Sequence, residues 1–304
     1  MNRWAIVGMV AVLALHLPDA MAQRITSGLS FLKLGAGADG IGRADAFVAD
    51  PTPAQAIFYN PGAIGDADRA SVMVMHNESI QDIRNDVLGV NIPMGDWAIG
   101  AGLQATTVSG IEVRDNASTQ PLGTFTSIEG AMTLGACYAA TSEWSIGMSV
   151  KALIEKIYIN DAVGGAVDVG VRYRPEHTPW AFGLALQNIG TMGVLANESI
   201  TLPTMIRAGA SYSGTFGEHR DFAYVMDLAG DKTFVDDGLH ARLGGQLVFD
   251  NTLFFRAGLK TGYDAGAFAT GIGFRYKFLQ LDYALQPFAN SYGTGHVFSL
   301  NVSL

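Results

Sequence analysis

The stretch Leu279-Gln280-Leu281-Asp282-Tyr283-Ala284-Leu285-Gln286-Pro287 decides the fold. Leu281, Tyr283 and Leu285 alternate with Gln280, Asp282, Ala284 and Gln286. A period of two sends successive side chains to opposite faces of a β-strand. One face is greasy; the other is small, polar or charged. Residues 181–190 repeat the pattern, with Phe182, Leu184 and Leu186 set against Gly183, Ala185 and Gln187. Strands of about 9–11 residues with this alternation suit a transmembrane β-barrel, apolar toward lipid and polar toward the lumen.

Outward from that stretch, the rhythm runs from about residue 70 to the last residue. It predicts an all-β fold, a transmembrane antiparallel β-barrel of about 14 strands. The expected cores are 70–77, 86–93, 97–109, 126–140, 144–156, 165–174, 180–190, 204–213, 221–228, 239–249, 252–261, 266–276, 279–287 and 295–304. Short links at 94–96, 141–143, 175–179, 214–220, 250–251 and 277–278 alternate with mostly longer ones such as 110–125, 191–203 and 229–238. Short periplasmic turns and longer external loops are the expected asymmetry of an outer-membrane barrel. In the last strand Phe298, Leu300, Val302 and Leu304 alternate with Val297, Ser299, Asn301 and Ser303. That strand is expected to close against the first, leaving no edge in lipid. Many such barrels end in Phe or Trp, and Leu304 departs from that habit.

Aromatic placement supports the same reading. Trp97, Trp144 and Trp180 each open a strand after a short link, and Tyr138, Tyr173, Phe249 and Tyr276 close strands before one. They predict a girdle at one membrane interface. The inward face carries Lys151, Glu155, Asp168, Arg172, Arg174, Arg207, Asp221, Arg242, Arg256, Lys260, Arg275 and Asp282. Both signs are present, so pairing in the lumen is expected, because unpaired charges away from water are costly. These charges line a packed lumen, a polar path for a solute, or a docking surface for a plug.

The N-terminus divides the rest. Residues 1–22 read as a signal peptide: Arg3 precedes an apolar run over 5–17, and Ala20-Met21-Ala22 offers a small-x-small cleavage site. Export to the outer membrane follows. Residues 23–66 are expected to form a hatch in the lumen and 67–304 the barrel. Within 28–65 small residues dominate and lead into Phe58-Tyr59-Asn60-Pro61-Gly62. Such a segment brings its backbone close to a wall, and Asn60-Pro61 is a turn signal that redirects the chain.

Several chemistries are disfavoured. The net charge of −9 argues against nucleic acid as a partner. Cys137 is the single cysteine, so no disulfide or cysteine metal site is expected, and a buried inert thiol is. Gly35-Ala36-Gly37-Ala38-Asp39-Gly40 matches the dinucleotide fingerprint, but no βαβ unit surrounds it. No cofactor and no metal site are expected, since no His or Cys pair has ligand spacing. An outer-membrane hydrolase needs a Ser–His constellation at the outer face. His177 and His219 fall in short links on the wrong side, while His76, His240 and His296, with Ser291 nearby, show no partner set. The chain is not expected to be an enzyme.

The residues Gly40-Ile41-Gly42, Ala44-Asp45-Ala46-Phe47-Val48-Ala49 and Ala54-Gln55-Ala56-Ile57-Phe58-Tyr59-Asn60-Pro61-Gly62-Ala63 resemble the PorV/PorQ family, within the wider group of barrels similar to the FadL fatty-acid transporter. Gly62 stands where Ala is commoner. The resemblance implies a fourteen-stranded barrel with an N-terminal hatch. It also implies a non-enzymatic part in type IX-like protein secretion or surface attachment, with a secretion channel and secreted cargo as partners. FadL-like members imply the alternative, transport of a hydrophobic ligand across the outer membrane. Arg43, Asp45, Asn60 and Pro61 are the hatch or gating candidates, with Arg43 expected to pair with Asp168 or Asp282.

Overall fold

The alternation becomes a closed wall. In the computed structural model, which describes residues 27–114, 120–218, 221–235, 238–262, 267–288 and 293–304, fourteen antiparallel strands form one closed barrel. The strands are β1 (Ser71–Glu78), β2 (Ile83–Met94), β3 (Trp97–Val113), β4 (Gly123–Ala139), β5 (Trp144–Ile157), β6 (Asn160–Tyr173) and β7 (Trp180–Met192). They continue as β8 (Met205–Phe216), β9 (Phe222–Thr233), β10 (Leu239–Phe249), β11 (Leu253–Thr261), β12 (Phe268–Tyr276), β13 (Leu279–Phe288) and β14 (Gly293–Ser303). Each strand pairs with its neighbours in sequence, and β14 returns to β1 from Ser71 opposite Ser303 to Glu78 opposite His296. The proposed signal peptide, its cleavage site, His219 and Ser291 lie outside the described residues. No helix among those described is long and apolar enough to cross a membrane.

The two faces separate as the period of two requires. Along β13, Leu279 and Leu281 are exposed while Gln280, Asp282 and Ala284 are buried. Along β11, Leu253, Phe255 and Leu259 point out; Phe254, Arg256, Gly258 and Lys260 point in. Exposed apolar side chains around the whole circumference form a band that only lipid satisfies. Grooves in this band belong to the lipid face: one of about 710 Å³ is lined by Val74, Phe255, Ile272, Phe274, Leu281 and Phe298 among others.

At the level of the short turns the aromatic rings touch in sequence. Trp144 stacks on Tyr173 at 4.3 Å, Tyr173 meets Phe182, Phe182 stacks on Trp180, and Trp180 meets Tyr212 at 4.8 Å. The line continues through Tyr224, Phe216 and Phe222 to Phe249. This is the interfacial girdle, continuous over β5 to β10.

The opposite rim is uneven. Strands β3 and β4 have 17 residues each, whereas β11 and β12 have 9. Nine tilted residues span about 23 Å, close to the apolar band of an outer-membrane barrel; seventeen rise well above it. The outer loops expected at 110–125, 191–203 and 229–238 are therefore shorter than the sequence suggests. Strand pairing continues through Ile111–Val113, Thr191–Met192 and Ala229–Thr233. Likewise β5 and β6 join in a tight turn at Tyr158-Ile159, where a longer link was expected. Polar residues extended these strands because above the membrane both faces are wet, and alternation no longer marks the strand.

Candidate functional site

The N-terminal segment lies in the lumen as short turns: Ser30–Lys33, α1 (Ala38–Gly42), Pro53–Gln55, α2 (Ala56–Tyr59) and Pro61–Ala63. Most of its apolar residues are almost fully buried, including Phe31, Phe47, Ile57 and Tyr59, while Leu34 is exposed. The pseudo-dinucleotide motif is thus lumen packing, with α1 resting against β13 and β12. Close docking needs a wall without side chains. Where Asn60-Pro61-Gly62 meets the wall, β5 and β6 present Gly147 opposite Gly170. A Cβ on Gly147 would lie 2.1 Å from the Pro61 carbonyl oxygen. Where Arg43-Ala44 docks, β10 and β11 present Gly244 opposite Gly258.

Two buried ion pairs tie the segment to this second glycine pair. Arg43 Nη1 meets Asp227 Oδ2 on β9 at 2.7 Å, with both side chains at most 5 % exposed. The Arg43 guanidinium also lies 4.1 Å over the Phe47 ring. Asp45 Oδ2 meets Lys260 Nζ on β11 at 2.6 Å. Its other oxygen accepts from the Tyr59 hydroxyl at 3.0 Å, and Arg242 donates to its backbone carbonyl. Arg242 is itself paired with Asp231 at 2.8 Å. Burial alone would raise the Asp45 carboxyl, but Lys260 and Arg242 outweigh it and hold it at about 2. Burial, then the Asp45 charge, pushes the Tyr59 hydroxyl well above its ordinary value, so it stays a donor. Between the two pairs Ala44 and Asp45 are left-handed, at φ 57° and 56°. Non-glycine residues rarely adopt this region, and here the surrounding contacts hold them in it.

Asn60 is fully buried and its amide is used completely. Its Oδ1 accepts from Gly62 N–H at 2.9 Å, and Nδ2 donates to the carbonyls of Val48 and of Val171 on β6, both at 3.1 Å. Pro61 opens the following 3-10 turn without a free N–H. Cys137 is buried and donates to the Gly62 carbonyl at 3.3 Å.

The inward charges divide by role. Arg172 on β6 reaches the segment, donating to the Ala49 carbonyl at 3.0 Å and pairing with Asp50 at 3.1 Å and Asp66 at 2.6 Å. Arg174 also pairs with Asp50 and Asp66. Arg207 is 2 % exposed and donates to the Lys33 carbonyl at 3.3 Å. The others brace the wall. Lys151 pairs with Asp168 at 2.8 Å, and Asp168 also accepts from Ser149 and from the Asn188 backbone at a bulge between β6 and β7. Arg256 pairs with Asp282 at 2.7 Å, and Arg275 donates to Gln280 and Asn251. The expected partners of Arg43 were therefore wrong: Asp168 and Asp282 are taken by Lys151 and Arg256, and Asp227 is the partner. Asp221 is also misplaced; it precedes β9 and is exposed.

Asp227 and Asp231 went unrecognised in the sequence. Both lie on the inward face of β9, four residues apart. The alternation Met226-Asp227-Leu228 was the available signal, and Asp231 was hidden in a stretch read as loop. Asp39 was missed as well; it is buried and accepts from Thr52 and Gln55 at 2.5 Å each.

At the outer end of the lumen the chemistry changes. Leu29, Phe31 and Leu32 pack with wall residues Ala131, Leu153 and Ala166 and with Leu202 of the β7–β8 loop. Met192 and Ile200 border this cluster. Gly28 N–H donates to the Thr201 carbonyl at 3.0 Å, joining the segment to that loop. Among the described residues, His76 pairs with Asp86 at 2.6 Å, and His296 shares a hydrogen bond with the Tyr283 hydroxyl. No group of three or more metal-ligating side chains occurs among the described residues.

No protein-family model matches the chain, and no curated protein sequence matches it significantly. Solved structures do match its shape. It superposes on the CymD monoaromatic hydrocarbon channel with a TM-score of 0.65 at 13% identity, covering 91% of this chain and 98% of that one. The toluene transporter TodX of P. putida gives 0.61 at 13% identity, covering 89% and 99%. A Pseudomonas aeruginosa FadL homologue gives 0.55 at 12% identity, covering 88% and 97%. What these structures share with the chain is the fold, a closed antiparallel β-barrel.

Proposed function

We propose that this barrel passes hydrophobic small molecules across the outer membrane, without chemistry of its own. The observation that carries the reading is the apolar cluster of Leu29, Phe31, Leu32, Leu153 and Leu202 at the outer end of the lumen. These side chains are buried against one another, so the packing of the segment on the wall shuts the outer lumen to water, while an apolar solute that enters this packing on leaving water gains about 25 cal/mol per Å² buried. Beneath it the lumen is filled by a segment held through ion pairs, which makes Arg43 and Asp45 the latch of a gate. The likeness in fold to a monoaromatic hydrocarbon channel and a toluene transporter supports transport over the secretion reading and favours a hydrophobic ligand over a secretion channel and cargo.

The test is uptake of a neutral monoaromatic hydrocarbon by cells whose outer leaflet is intact. Cells expressing the barrel are expected to take it up faster than cells without it, and the purified barrel to show no steady conductance in planar bilayers. Equal uptake, or a large constant conductance, would overturn the proposal.

A further inference from the structure

Glu129 on β4 and Glu155 on β5 face the lumen directly opposite each other across the ladder. Like charges so placed destabilise a sheet. Glu129 accepts from the backbone N–H of Phe31. Glu155 is 6 % exposed and its Oε2 has no hydrogen-bond partner. The inward lysine of the same strand, Lys151, is committed to Asp168. No lysine or arginine among the described residues forms an ion pair with either glutamate. Every other lumen carboxylate discussed above has a cation or a pair of donors.

One step down each strand, on the same face, Ala131 lies opposite Leu153. Both belong to the apolar cluster with Phe31, Leu32 and Leu202. Phe31 joins the two rows, with its side chain in the cluster and its N–H on Glu129. The outer lumen therefore sets a carboxyl pair without a cation partner beside a buried apolar cluster.

We propose that this juxtaposition is a subsite for the head of a hydrophobic amine: the ammonium sits between Glu129 and Glu155, and the hydrocarbon enters the packing of the Phe31–Leu153–Leu202 cluster. The inference rests on the transport reading and narrows its substrate class. An alkyl carboxylate meets two like charges there, and a neutral solute gains only the apolar contact. Charge-assisted hydrogen bonds from an ammonium supply the discrimination.

The experiment is calorimetric titration of the full barrel in nonionic detergent with decylamine, decanol and decanoate. Wild type is expected to bind decylamine about tenfold more tightly than decanol and decanoate most weakly. In Glu155→Gln and in Glu129→Gln, which keep an acceptor for Phe31, the gap is expected to close to within about twofold with decanol unchanged. Each variant runs beside wild type on a heat-modifiability gel to show that the barrel is closed, and Glu112→Gln on the projecting rim serves as the control. Equal affinity of wild type for decylamine and decanol overturns the subsite while leaving transport standing. Failure to bind any probe also overturns the subsite, and hydrocarbon uptake then decides the transport reading separately.

Discussion

Asp45 and Lys260, 215 residues apart in the chain, meet inside the barrel at 2.6 Å, and neither side chain is more than 8 % exposed. The pair joins the N-terminal segment to the wall where Gly244 and Gly258 let its backbone touch the strands. Removing one partner of a buried pair leaves an uncompensated charge, at a cost of about 3–5 kcal/mol. Asp45→Ala is therefore expected to loosen the segment and produce transient conductance bursts in planar bilayers, with Lys260→Met milder than Lys260→Ala because it fills the space. A quiet bilayer and unchanged melting for Asp45→Ala would remove the latch from the account.

The same pair carries a pH dependence whose sign follows from its carboxyl. Asp45 titrates at about 2 in place of 3.8. A group depressed by folding adds stability that is complete above its ordinary value and disappears as pH falls through the folded one. Protease resistance of the N-terminal segment is expected to hold down to about pH 4 and to decline toward pH 2. Asp45→Asn is expected to start lower and to lack that part of the acid transition; identical acid profiles for the two proteins would contradict the assignment.

Asn60 offers a discrimination between size and hydrogen bonding. Its Nδ2 serves two carbonyls and its Oδ1 one N–H. Asn60→Asp is nearly isosteric but turns an oxygen toward those carbonyls. It is expected to cost more than Asn60→Ala, whose loss is about 1–3 kcal/mol per buried group left unsatisfied. Urea titration of the folded band on gels orders the two, and Ala falling below Asp would refute the hydrogen-bond role.

Close approach at Gly62 leaves no room for a side chain at that position. An added Cβ would lie 2.8 Å from the Gly170 carbonyl carbon and oxygen. Gly62→Ala is expected to destabilise the docked segment by about 1–3 kcal/mol through overpacking. Gly123→Ala, where nothing lies within 4 Å, is expected to be neutral. Thermal melts of the two variants beside wild type make the comparison.

The sequence alone determined the strand period, the even strand count, the closure of the last strand on the first and the aromatic level. Each follows from the local rule that alternate side chains face alternate solvents, and the bilayer enforces it over every membrane-spanning residue. The rule fades above the membrane, which is why the outer ends of β3, β6 and β9 were read as loop. Which inward charge meets which was decided only by the tertiary structure. Arg43 faced several carboxylates on one polar face, and the register between β9, β10 and β11, with the glycines that admit the segment there, selected Asp227. Ion pairing across hundreds of residues depends on where a chain docks inside a closed wall. Docking is set by shape and by the absence of side chains on paired strands, and no local pattern records that.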